Sequence, residues 1–235
     1  MSNLYQRFAS VYDECGISEF SIVFGQSMLE HFKQVYPNRS FKRNLDICCG
    51  TGKLCDFFKE NGIETKGVDL SKEMIDIARE NYPEIEFTVS DASEYQDDEK
   101  YDFITCTDDA LNHITEPDVL KKIIKNVNNL LVDGGLFIFD MNYFYVFNFE
   151  KYYKALDSKR KLSYKLTRDD NIIQFNVEYF EDDNLLWKEQ VCERDYSVED
   201  ITKILNDEGF AVEMFSQHFY NEKRTDKWKV VAKKV

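Results

Sequence analysis

Asn44-Leu45-Asp46-Ile47-Cys48-Cys49-Gly50-Thr51-Gly52-Lys53-Leu54 reads as a buried strand, Leu45 to Cys49, that breaks into a glycine turn and enters a helix. Two glycines bracket Thr51, so the backbone there can bend tightly and approach a ligand. A strand, a glycine turn and the amino end of a helix together form a cofactor cradle. Its chemistry narrows by elimination. A dinucleotide fold asks for a third glycine three residues after Gly52, and Cys55 stands there. A P-loop asks for a hydroxyl residue after its lysine, and Lys53 is followed by Leu54.

Outward from the turn, strands and helices alternate. Leu54, Phe57 and Phe58 line a helix face that Asn61-Gly62 stops. Ile63 to Leu70 reads as a second strand with Asp69 at its carboxyl end, and Ser71 is placed to cap the next helix. Ile85 to Val89 forms a third strand ending near Asp91, and Tyr101 to Cys106 a fourth, followed by Thr107-Asp108-Asp109. A helix from Asp118 to Leu131 leads through Gly134-Gly135 into a fifth strand, Leu136 to Met141. Upstream, Phe20, Val23, Phe24, Met28, Leu29 and Phe32 fall at helical spacing, behind an aromatic opening segment with Tyr5, Phe8, Val11 and Tyr12.

This alternation predicts a Rossmann-like, doubly wound α/β fold. After residue 142 the pattern changes. Residues 160 to 196 alternate as a three-stranded antiparallel meander with turns at Asp169-Asp170-Asn171 and Asp182-Asp183-Asn184. A helix starting at Ser197 and ending at Gly209 precedes two strands, Phe210 to Phe219 and Trp228 to Lys233, read as a closing hairpin around a loop at Asn221 to Asp226. The expected sheet has seven strands. Residues 1–142 and 197–235 form the core with its N-terminal helical segment, and 143–196 an antiparallel insertion covering the active site.

Ligands of doubly wound sheets bind beyond the carboxyl ends of the strands. Gly50 to Gly52, Asp69, Asp91 and Thr107 to Asp109 all fall at such ends, so segments distant in sequence converge on one rim. A carboxylate placed like Asp69 accepts bonds from ribose hydroxyls, and Asp91 could accept one from an adenine amino group. Each also has a plainer reading, as a turn or helix-start residue.

Bulk composition agrees with a small-molecule partner. With 30 basic against 44 acidic residues the net charge is -14, which leaves no electrostatic footprint for bulk nucleic acid or an anionic membrane. The six cysteines form no CxxC pair and the three histidines are far apart, so no metal site is expected. No signal peptide opens the chain and no apolar run reaches the length of a membrane span, so a cytoplasmic protein is expected. It would be a monomer or homodimer.

These residues resemble the class I S-adenosylmethionine-dependent methyltransferases. Leu45 to Gly52 is similar to their first motif, and Gly67-Val68-Asp69-Leu70-Ser71 with Met74 to the second. Ser90-Asp91-Ala92 is similar to the adenine-binding segment, and Phe103 to Cys106 with Asp109 and Leu111-Asn112-His113 to the fourth-strand motif. The resemblance implies S-adenosylmethionine as cofactor and a small-molecule methyl acceptor. It implies that Asp46, Gly50, Thr51 and Gly52 meet the methionyl end, Asp69 and Leu70 the ribose, and Met74, Asp91 and Ala92 the adenine. Thr107 would lie near the methyl, and Tyr12 would close over the cofactor. No His-Asp pair announces a base, which favours an amine acceptor over a hydroxyl. Tyr12 and His113 are the candidates for a catalytic part, each with a structural alternative, and His218 lies farther out.

The insertion and the opening segment are expected to select the acceptor, with Tyr143, Phe144, Tyr145, Phe147, Tyr152, Tyr153 and Tyr179 as candidate apolar walls. Two other readings stand beside this one: a non-catalytic S-adenosylmethionine-binding regulatory protein, and an NAD-binding oxidoreductase.

Overall fold

A computed structural model describes residues 5, 7–16, 18–142, 144, 151–221 and 224–235. Two helices, α1 (Ala9–Tyr12) and α2 (Glu19–Val35), precede strand β1 (Arg43–Ile47). Then come α3 (Lys53–Glu60), β2 (Glu64–Asp69), α4 (Lys72–Asn81), β3 (Glu86–Val89) and β4 (Tyr101–Cys106). A single 3-10 turn (Ala110–His113), α5 (Pro117–Leu130) and β5 (Leu131–Asn142) follow. Strands β6 (Lys151–Ala155), β7 (Arg160–Asp169), β8 (Ile172–Glu181) and β9 (Asn184–Arg194) come next, and α6 (Val198–Asp207), β10 (Phe210–Asn221) and β11 (Arg224–Lys234) finish the chain.

The larger sheet has seven strands in the order β10-β11-β5-β4-β1-β2-β3. β1 pairs in parallel with both β2 and β4, while β11 runs antiparallel between β5 and β10. The chain therefore winds outward from β1 in both directions. That leaves a crevice at the carboxyl ends of β1 and β4, where the order reverses.

Side-chain alternation along the strands feeds two layers. On β5, Phe137 and Phe139 pack with Leu120, Ile124 and Val127 of α5 and with Ile201 and Leu205 of α6. Leu136 and Ile138, pointing the other way, pack with Phe24, Met28 and Phe32 of α2 and Phe58 of α3. Burial of both faces explains why these strands read as near-continuous apolar runs. Helix starts follow side-chain chemistry. Ser71 accepts from Met74 N–H and Ser197 from Asp200 N–H, each satisfying an otherwise unpaired donor.

β6 to β9 form a separate antiparallel sheet of four strands in sequence order. The sequence reading gave three. β6 adds to it through Tyr152↔Tyr164 and Tyr153↔Ser163. Its turn is a side-chain device rather than a glycine signal: Asp157 accepts from the N–H groups of Lys159 and Arg160 at 2.8 and 2.7 Å. The fifth strand also starts earlier than expected, at Leu131, because its register with β4 slips between Tyr101 and Phe103 and carries the glycine pair inside the strand. Among the described residues no helix is long and apolar enough to cross a membrane.

Candidate functional site

Beyond β1 the backbone makes three left-handed excursions, at Cys48 (φ 56°), Gly50 (φ 54°) and Gly52 (φ 85°). The two glycines do different work. A Cβ on Gly50 would meet nothing within 4 Å, so this face lies open to the cleft. A Cβ on Gly52 would stand 2.7 Å from the Phe87 ring and 3.1 Å from Ala78 Cβ. Gly52 thus lets the turn seat against α4 and β3, and it does not line the cleft.

The cleft is about 470 Å³ and lies over the crevice between β1 and β4. Asp46, Gly50 and Thr51 line it from the first turn, and Asp69, Leu70 and Met74 from the second. Thr107 and Asp108 line it from the loop after β4, and His113 from the 3-10 turn. Tyr5, Tyr12, Ser18 and Ser21 close it from the N-terminal side.

Asp69 Oδ2 accepts from Gly50 N–H at 2.9 Å, and Oδ1 from Ser71 N–H at 2.8 Å. It therefore ties the first turn to the start of α4 and still has lone pairs for a ligand. Burial raises its pKa, and these backbone donors oppose the shift. Asp46, 1% exposed, accepts from Thr105 Oγ1 at 2.7 Å, and burial pushes its carboxyl up to about 7. Asp91 and Ala92 are placed elsewhere. Asp91 Oδ1 accepts from Ser93 N–H at 2.8 Å, its carbonyl accepts from Glu94 and Tyr95, and Ala92 packs in the core under α5. Both residues hold the loop after β3 and neither lines the cleft.

The N-terminal segment is bonded across the mouth like a strap. Asp13 Oδ1 accepts from Thr51 Oγ1 at 2.9 Å and Ser18 Oγ at 2.6 Å. Ser21 Oγ donates to Asp108 Oδ2 at 2.7 Å. Tyr5 and His113 are joined at 2.8 Å through Nε2. The other ring nitrogen, Nδ1, faces the Cys192 carbonyl at 3.4 Å. A carbonyl only accepts, so Nδ1 carries the hydrogen and Tyr5 O–H donates to Nε2. Burial lowers the His113 pKa, and with both nitrogens engaged the ring is not a free base.

Phe8, Val11 and Cys15 of the strap pack on Leu162, Val177 and Tyr179 of the smaller sheet. That sheet supplies a backing rather than a wall: none of its described residues lines the cleft. Tyr179 stacks on Trp187 at 5.2 Å, and Phe144 packs with Leu166 and Ile173, so both expected wall residues are core. Tyr143, Tyr145 and Phe147 lie outside the described residues, as do the side chains of Tyr152, Tyr153 and His218.

Behind the loop after β4 lies a polar knot that the sequence did not announce. Lys227 Nζ donates to Asp109 and, at 2.8 Å, to Asp140 Oδ2. Asn142 Nδ2 donates to Asp109 Oδ2 at 2.8 Å and Glu193 Oε2 at 3.0 Å. Lys227 holds the Asp109 carboxyl below its ordinary range against burial, whereas burial drives Glu193 well up. Donor atoms of Asp109, His113 and Glu193 lie within 4.8 Å of one another, the spacing of a metal site. Lys227 already supplies positive charge there, and Asn142, Tyr5 and Cys192 occupy the donors. The set fits an internal hydrogen-bonded network better than a cation.

Comparison with known proteins agrees with this geometry. Residues 45–135 match the methyltransferase domain family. A Geobacillus sp. (strain WCH70) protein provisionally named a methyltransferase is 30% identical over 142 residues, covering 59% of this chain and 57% of its own length. A dTDP-4-amino-2,3,4,6-tetradeoxy-D-glucose N,N-dimethyltransferase of Saccharopolyspora spinosa is 28% identical over 96 residues, 41% of this chain and 39% of its own. The chain thus spans about half the length of the curated relatives it matches. A solved S-adenosylmethionine-dependent methyltransferase from Clostridium acetobutylicum superposes with a TM-score of 0.82 at 28% identity, covering 97% of this chain and 98% of that one. The glycine turn and the strand-end carboxylate thus lie in a region, residues 45–135, that matches the methyltransferase domain family, and nearly the whole chain is similar in fold to a solved S-adenosylmethionine-dependent methyltransferase.

Proposed function

We propose that this chain transfers a methyl group from S-adenosylmethionine to the amine nitrogen of a small molecule. The observation that carries the reading is the pairing of an open Gly50 backbone with the Asp69 carboxylate on one cleft. Its volume falls in the range of about 300–1,000 Å³ usual for small-molecule sites. Asp69 would accept from the ribose hydroxyls, Met74 would pack on the adenine, and the turn at Gly50 would receive the methionyl end. The cofactor supplies a methyl on a positively charged sulfur, so transfer needs alignment and exclusion of water more than acid–base work. Tyr12 and Tyr5, across the mouth, would provide that cover.

The amine preference rests on the engaged His113 ring. A hydroxyl acceptor needs a base to take its proton, and the histidine lining the cleft has neither nitrogen free. One relative named above methylates a sugar amine by its name, which agrees. The first test is calorimetric titration with S-adenosylhomocysteine and NAD, where binding of the former alone is expected. The second is transfer of labelled methyl to amino sugars, simple amines and matched alcohols. Transfer confined to alcohols would refute the acceptor class. Tight cofactor binding without transfer to any acceptor would favour a regulatory role.

A further inference from the structure

Where it lines the cleft, the loop after β4 turns back through two successive left-handed residues, Asp108 (φ 58°) and Asp109 (φ 51°). Such a conformation costs a non-glycine residue about 1–2 kcal/mol, so partners must hold the pair in place. Asp109 has them: Lys227, Asn142, and a backbone N–H given to Asp140 Oδ2 at 3.0 Å. Asp108 does not. It lines the cleft, it receives one hydrogen bond from Ser21 Oγ, and no described residue donates to its second oxygen.

Among the described residues, five elements bring groups up to Asp108. Tyr5 and Tyr12 face it from the N-terminal segment, Ser21 from α2, Asp109 from its own loop, Asp140 from β5 and Lys227 from β11. Lys227 is the one cation among them, and its ammonium is bonded to Asp109 and Asp140. Both tyrosine hydroxyls are held neutral by burial. Asp108 is half-buried at the cleft wall and has no counter-ion of its own among the described residues; its partial burial, reinforced by Asp140 and Asp109 and opposed by Lys227, pushes its carboxyl up to about 8. The wall holds a carboxyl group that a cation in the cleft would convert to a carboxylate.

We propose that Asp108 is the counter-ion for the positive charge that methyl transfer places on the acceptor nitrogen. The inference rests on the methyl-transfer reading above. In the step, the nitrogen lone pair forms the N–C bond while the C–S bond breaks and leaves its electron pair on sulfur. Sulfur becomes neutral and nitrogen carries the charge. The amine sheds its proton to solvent at the cleft mouth. A carboxylate fixed on the acceptor side interacts more strongly with the charge after transfer than before, so it stabilises the transition state.

The test uses two probes that share the adenosyl and amino-acid parts. Sinefungin carries an ammonium-bearing carbon in place of the sulfonium, whereas S-adenosylhomocysteine is neutral there. Both are titrated calorimetrically into the full chain and into Asp108→Asn. The unaltered chain is expected to bind sinefungin more tightly. Its preference should grow between pH 6 and pH 8, by up to about tenfold per pH unit, with uptake of the cation matched by proton release. Asp108→Asn should cut the preference by about tenfold or more while S-adenosylhomocysteine affinity is kept, which also shows the variant to be folded. Equal affinities in the unaltered chain, a preference that ignores pH, or one that survives Asp108→Asn overturns the assignment and leaves the methyl-transfer reading standing. Failure of the unaltered chain to bind either probe overturns both.

Discussion

Asp69→Asn separates two roles of the same carboxylate. In the native fold each oxygen already accepts a backbone N–H, from Gly50 at 2.9 Å and Ser71 at 2.8 Å. Asparagine keeps the shape but turns one of those oxygens into an NH₂ group that faces a donor. One backbone N–H then loses its partner, which costs about 1–3 kcal/mol. Part of this is offset, because burial penalises the native charge and a neutral amide escapes that penalty. The net loss of stability should therefore be small, about 1 kcal/mol. Affinity should change more. Hydrogen bonds to a charged group contribute about 1.5–3 kcal/mol, so losing the charged acceptor for the ribose weakens binding by roughly 10- to 150-fold. Calorimetry with S-adenosylhomocysteine measures the second quantity and urea melts the first. A folded variant that binds within about twofold of the native chain would refute the ribose assignment.

The two glycines of the turn should respond oppositely. Gly52→Ala, with a ring 2.7 Å from the new methyl and φ at 85°, should lose about 2–5 kcal/mol of stability, read from melts. Gly50→Ala should lose only about 1–2 kcal/mol but weaken cofactor binding, because its methyl enters the open cleft. Lys227→Met should cost about 3–5 kcal/mol by stranding Asp109 and Asp140, a loss seen in urea melts. Asp13→Ala frees Thr51 from the strap and should speed cofactor release in stopped flow about fivefold, for one hydrogen bond of about 1 kcal/mol. The last concerns pH. The Asp46 carboxyl is raised from 3.8 to about 7, so between these values the native state holds a proton that the unfolded chain has released. The Asp46 contribution to stability must then fall as pH rises through that window, by up to about 1.4 kcal/mol per unit, and level off above it. Asp46→Asn should flatten the slope in urea melts from pH 5 to 8, and an unchanged slope would exclude this carboxyl as its source.

Parts of this architecture are legible in the sequence because they are written locally. Val-, Ile- and Phe-rich runs separated by helical periodicity require a parallel sheet with both faces covered, and Ser71 and Ser197 mark helix starts through their own hydroxyls. The rule that ligands meet strand ends then points at Gly50 and Asp69 without any coordinates. Other features depend on neighbours distant in the chain. Nothing near Gly52 says that Phe87 and Ala78 will crowd it, and Asp91 sits at a strand end just as Asp69 does. Only three-dimensional placement gives one to the cleft and the other to a turn at Ser93. The knot around Asp109 draws on β5, β9 and β11 as well as its own loop, and in the sequence Lys227 falls between the polar loop and the last strand, with nothing to mark it.

The smaller sheet acts on the mouth of the cleft at one remove. α1 spans only four residues, too short to hold a helical conformation by itself. Its position comes from burying Phe8, Val11 and Cys15 against Leu162, Val177 and Tyr179, and from Glu189, which accepts from Phe8 N–H at 3.0 Å. Tyr5 and Tyr12 at the cleft mouth therefore stand where the sheet puts the strap. The cofactor end has no such dependence, since Gly50 and Asp69 are tied to strand ends inside the parallel sheet. Changes in β7 to β9 can thus shift Tyr5 and Tyr12 at the cleft mouth without placing a side chain in it. Under the proposed reading, the methyl donor would meet strand ends of the larger sheet, and the acceptor a strap held from behind.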